Sequence, residues 1–225
     1  MPDAEILPEV ARIEATEATV NTATPARKRP KPGERRVQIL QALAAMLEQP
    51  GAERITTAAL AARLDVSEAA LYRHFASKAQ MFEALIEFIE ESVFTLINQM
   101  TERAGGSTDS APADARLASR VIAMLIQFAE KNPGMTRVMV GDALVFENER
   151  LQARMNQFFD KIESILKNSL RDVAARNGSG SPTVDAQVSA SVLTAFVVGR
   201  MQRFARSGFK RLPSEHLDAC LAQML

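Results

Sequence analysis

RITTAALAARLDVSEAALYRHF, residues 54–75, is the stretch on which the reading of this chain turns. Thr56 stands before the apolar series Leu60, Ala61 and Leu64, so its hydroxyl is placed to cap a short helix by accepting a free backbone N–H. The pattern breaks at Asp65, and Ser67 offers a second cap, which predicts a new helix from Glu68 past Leu71 and Tyr72 to Phe75. Two capped helices this close make a helix-turn-helix candidate. Leu60, Leu64, Val66, Leu71 and Phe75 then share one small core, and Ala61 and Ala62 allow a close crossing. Glu68, Ala69, Tyr72 and Arg73 are left facing outwards, an arrangement suited to the DNA major groove, with phosphates near the helix starts at Thr56 and Ser67. Asp65 occupies a turn position commonly given to glycine, and Asp tolerates positive φ better than most other residues. An ordinary helical hairpin would carry the same apolar pattern.

The residues around this stretch carry a resemblance. ITTAALAARLDVSEAALYRHFASKAQMFEALIE, residues 55–87, resembles the N-terminal domain of the TetR family of transcriptional regulators, most specifically in LYRHFASK. Together with EKNPGMTRVMVGDALVFENERLQARMNQFF, residues 130–159, it is similar to the nucleoid occlusion factors within that family. The resemblance implies an all-α fold, with an N-terminal three-helix helix-turn-helix domain (33–76) and a C-terminal helical domain (77–225) for dimerisation and partner binding. It implies that DNA is met by Thr56, Thr57, Ser67, Ala69, Tyr72, Arg73, His74 and Lys78. It further implies a second partner, the tubulin-like division protein FtsZ, met on outer helix faces by Phe88, Met124, Gln127, Lys131 and Asn132. The chain departs from the pattern on that surface, with Leu96 in place of a basic residue and Gln127 in place of a glycine.

Charge agrees with a nucleic-acid partner once its distribution is considered. The net charge is zero, yet residues 1–26 hold five acids against Arg12 alone, and residues 27–78 hold ten basic side chains against five acidic ones. Arg27, Lys28, Arg29, Lys31, Arg35 and Arg36 form an arm and a helix start able to lie along phosphates. A solvated tail would explain Arg27 to Lys31 equally well. Hydrophobic residues make up 47% of the 225, enough to fill a core in one domain or two small ones. The apolar runs are too short for a membrane span and the start does not read as a signal peptide, so a cytoplasmic setting is expected. Cys220 is the single cysteine, which excludes an intramolecular disulfide and a cysteine metal cluster.

Taken in order, residues 1–32 are rich in Ala, Thr, Glu and Pro without apolar periodicity, and are expected to be disordered. Val37, Ile39, Leu40, Leu43, Met46 and Leu47 predict the apolar face of a first helix over 34–48, closed by Pro50-Gly51. Ser77 caps a long helix from 78 to about 103, in which Phe88 sits at the edge of the apolar set. A loop is expected over 104–113, then helices over 114–131, about 135–146, 149–176, 184–206 and 214–225. Asn132-Pro133-Gly134 stops the first of these and Asn148 caps the third. No strand pattern competes.

Small residues Ala186, Ser189, Ala190, Ser191, Ala195 and Gly199 make the 184–204 surface suitable for close packing against Phe158, Phe159, Ile162, Ile165, Leu166 and Leu170. The same surface fits a homodimer or a contact within one chain, and the resemblance implies the dimer. Two recognition helices would then stand about 34 Å apart and read a near-palindromic site. Enzymatic chemistry has no motif here. His74 and His216 stand apart, and no HExxH, GxSxG or phosphate loop occurs. Glu147, Glu149 and Arg150 read as a solvated or capping cluster. Three functions remain open: a DNA-bound antagonist of division, a ligand-released repressor of TetR type, and a helical interaction module without DNA. A ligand pocket would have few groups to orient its guest, because residues 77–225 contain no Trp, no Tyr and only His216.

Overall fold

The computed structural model describes residues 33–49, 54–105 and 110–225. The expectations for residues 1–32, for Arg27 to Lys31 and for Pro50-Gly51 lie outside them. Helices α1 (Glu34–Leu47), α2 (Thr57–Arg63) and α3 (Glu68–Tyr72) form the N-terminal unit. They are followed by α4 (Lys78–Gly105), α5 (Ser110–Lys131), α6 (Pro133–Met139), a 3-10 turn (Asp142–Leu144), α7 (Glu149–Arg176), α8 (Pro182–Arg206) and α9 (Leu217–Met224). Among the described residues there is no strand, and the all-α expectation holds.

Local chemistry explains most boundaries. Thr56 accepts from the N–H of Ala59, Ser67 from Ala70 and Asn148 from Arg150, so the three caps stand where their short polar side chains placed them. Helices α7 and α8 each close on a glycine in the left-handed region, Gly178 (φ 76) and Gly208 (φ 64). Other ends differ from expectation. Helix α3 stops at Tyr72 rather than Phe75: Arg73 caps it, the N–H groups of His74 and Phe75 both turn back to the Leu71 carbonyl, and Arg36 of α1 donates to the His74 carbonyl at 2.7 Å. The helix expected over 135–146 ends at Met139, where Gly141 turns left-handed (φ 83) and a 3-10 turn follows. Helix α5 begins at Ser110, inside the expected loop, and α9 begins only after His216, itself left-handed (φ 56).

Two packing features join the N-terminal unit to the rest. Gly134 of α6 lies so close to α1 that a Cβ on it would come within 2.0 Å of the Ala44 carbonyl oxygen. Arg137 of α6 donates to the carbonyl of Gln49 at 2.8 Å. Further out, α4 and α7 run side by side. Ion pairs Lys78–Glu147, Glu83–Arg150 and Glu90–Arg154 succeed one another along them, followed by an edge-to-face contact of Phe94 with Phe158 at 5.5 Å. Helix α8 returns antiparallel along α7, with Gln187 donating to Glu163 at 2.6 Å.

Candidate nucleic-acid interface

The knot that carries α3 is built as its sequence dictates. Leu60, Leu71 and Phe75 are buried, with Leu64 and Val66 half-buried against them. Asp65 takes the left-handed conformation (φ 52), and the N–H groups of Val66 and Asp65 reach back to the carbonyls of Ala61 and Ala62. That is the six-to-one and five-to-two closure usually completed by glycine. Arg36 stacks its guanidinium 4.1 Å from the Phe75 ring, so α1 clamps the far end of α3 by stacking and by its bond to the His74 carbonyl.

The outward side chains then follow. Thr56, Ser67, Glu68, Ala69, Tyr72, Arg73 and His74 are exposed and Thr57 half-buried, and together they line one surface at the start of α2 and along α3. Thr57 donates to the Glu68 carboxylate, and the Tyr72 hydroxyl stands 3.5 Å from the Thr57 oxygen. This clasp between α2 and α3 escaped the sequence reading, although Thr57 and Glu68 both lie inside the quoted stretch. His74 lies beyond the end of α3 rather than within the helix. Lys78 departs from expectation too: its ammonium is paired with Glu147, so it is not a free cation for phosphate. Glu147 is correspondingly no solvated cluster residue, since its side chain is only 9% exposed.

The second candidate surface divides. Phe88 is half-buried against the core, and Gln127 and Lys131 are exposed. Met124 (2% exposed) and Asn132 (6%) are inside the protein and do not face outwards. Met124 falls on the apolar side of α5, whereas the Asn132 amide donates to the Phe128 carbonyl at 2.9 Å and closes that helix. Leu96, where relatives are expected to be basic, is buried, so an apolar residue there fills core. Val37, assigned by its spacing to the core face of α1, is 52% exposed.

Known proteins account for both halves of this arrangement. The family model of bacterial regulatory proteins, tetR family, matches residues 39–85, and that of the SlmA-like, tetracyclin repressor-like C-terminal domain matches residues 115–224. The nucleoid occlusion factor SlmA of Idiomarina loihiensis is 50% identical over 185 residues, covering 82% of this chain and 90% of the relative. That of Photobacterium profundum is 51% identical over 185 residues, covering the same shares, 82% and 90%. The chain belongs to the SlmA branch of the TetR family. Solved TetR-type structures share the fold at low identity. FadR of Bacillus subtilis, solved with stearoyl-CoA, is 15% identical with a TM-score of 0.63, covering 83% of this chain and 96% of that one. PfmR of Thermus thermophilus is 22% identical with a TM-score of 0.60, covering 84% and 97%. As a TetR-family member the chain is a DNA-binding regulator and not an enzyme. No helix among the described residues is long and apolar enough to cross a membrane.

Proposed function

We propose that this chain is a nucleoid occlusion factor that binds chromosomal DNA as a homodimer and, from there, opposes FtsZ polymerisation so that no septum assembles over the nucleoid. The observation that carries the reading is that the likeness to SlmA runs through the C-terminal unit as well as the DNA-binding one, and it is the C-terminal unit that separates TetR proteins of different duty. The chain divides at about residue 76, with 33–76 meeting DNA and 77–225 meeting the second copy and the division protein. Thr56, Thr57, Ser67, Ala69, Tyr72, Arg73 and His74 form the DNA-facing set, and Phe88, Gln127 and Lys131 the accessible part of the partner-facing set. DNA and a cytosolic division protein together put the protein in the cytoplasm, on the nucleoid.

The dimer reading is supported by α8, where Val184 (61% exposed), Val188 (58%) and Val192 (51%) continue through Ala195 and Gly199 in one stripe at helical spacing. Ala186 and Ala190 are spent within the chain instead, buried on the opposite side of the helix. A cleft of about 550 Å³ lined by Phe196, Arg200, Arg203 and Arg211 opens beside the same Ala195 and Gly199. A second copy on the stripe would adjoin it, which weighs against reading the cleft as the pocket of a ligand-released repressor.

Recovery of bound chromosomal fragments tests the function. Many scattered sites are expected, along with slowed FtsZ assembly in light scattering only when a bound duplex is present. A single promoter, with FtsZ unaffected, would make the protein a local repressor. Tyr72→Ala is expected to cost about 1–3 kcal/mol of affinity at fixed salt without unfolding the protein.

A further inference from the structure

We propose that Glu68 is a base-reading side chain at the leading end of α3 and that it selects cytosine, an inference that rests on the DNA-binding reading above. At the leading end of α3, Ser67 is committed to its cap, its oxygen accepting from Ala70 N–H at 3.3 Å, and Ala69 has no side-chain hydrogen-bonding group. Glu68 is the remaining exposed polar side chain there. Its carboxylate is held in place, because one oxygen accepts the Thr57 hydroxyl and Thr57 is itself half-buried beside the Tyr72 phenol.

The chemistry of a fixed carboxylate then limits what it accepts. It offers only hydrogen-bond acceptors, and in the major groove cytosine presents an amino donor without an adjacent acceptor. Adenine places N7 beside its amino group, while guanine and thymine present carbonyl oxygens, and each of these would face a carboxylate with like-signed charge. A negative side chain near phosphates is also a cost in itself, and only a matching donor offsets it. Glu68 therefore raises selectivity more than affinity. Thr57, besides its place on the DNA-facing surface, acts through Glu68 as a positioning residue.

Selection from a randomised duplex pool, with the full chain as wild type, Glu68→Gln, Glu68→Ala, Thr57→Val and Thr57→Ser, tests this. The wild type is expected to enrich cytosine at one position in each half-site. Both Glu68 variants should lose that preference by about ten-fold, with binding to unmatched duplex equal or stronger. Thr57→Val should blur the preference and Thr57→Ser restore it. Glu68 variants that select the same sequences as the wild type, or lose affinity evenly for all sequences, would overturn the proposal and leave Glu68 a structural clasp. A wild type that enriches no sequence would overturn the proposal as well, and one that retains no duplex at all would overturn the DNA-binding reading beneath it.

Discussion

Thr194 shows what a single atom costs in this fold. Its hydroxyl oxygen is buried without a hydrogen-bond partner on the inner side of α8. An unmet buried polar group typically costs about 1–3 kcal/mol, so Thr194→Val, which keeps the shape, is expected to raise the melting temperature by a few degrees in calorimetry. Glu48, the C-cap of α1, carries a different signature. Partial burial pushes its carboxyl above the ordinary value of 4.5, opposed by the backbone N–H of Gly134 and the charge of Arg63. The fold therefore holds this proton more tightly than the unfolded chain, and stability from this site is present at low pH and lost as pH rises through the raised value. Glu48→Gln should melt above the wild type at pH 7 and converge with it towards pH 4. Residues of this kind are not legible in the sequence, because what surrounds Thr194 and Glu48 is brought by other helices. Asp65 was legible, since its need for positive φ arises within its own turn.

Single helices show the same division between local and distant causes. The caps at Thr56, Ser67 and Asn148 could be read in advance because donor and acceptor lie within three residues of each other. The clamp just beyond the end of α3 could not, since the group that takes the His74 carbonyl is Arg36, thirty-eight positions away. The break at Gly141 is present in the sequence as a glycine but is masked by the apolar runs Val138 to Val140 before it and Ala143 to Phe146 after Asp142. That Met124 and Asn132 lie inside is not legible for a related reason: a resemblance carries a role over position by position and does not say which side chains the neighbouring helices cover. The α1–α6 contact is the sharpest case. With Ala44 backbone where a Cβ on residue 134 would have to go, Gly134→Ala is expected to cost about 3 kcal/mol or more, or to separate the two helices. Hydrogen exchange should report it as lost protection in both helices, while α8 keeps its own.

At the scale of the whole molecule, the ion pairs and ring contacts along α4 and α7 contrast with α8, which carries a long apolar stripe without cover among the described residues. Val188→Glu and Val192→Glu together place charges on that face. They are expected to give a folded monomer in analytical ultracentrifugation, with DNA affinity reduced by about a hundred-fold or more because one recognition helix must act alone. A variant with the sedimentation of the wild type would overturn the proposed use of this face for dimerisation. The glycine seat between α1 and α6 bears on engineering. Anyone wishing to graft a foreign reading head onto this body, and so redirect it to new chromosomal addresses, must transplant α1 with a backbone that nestles against position 134. Heads borrowed from cousins with a bulkier residue at that seam will express as mismatched halves, however well their recognition helices are made.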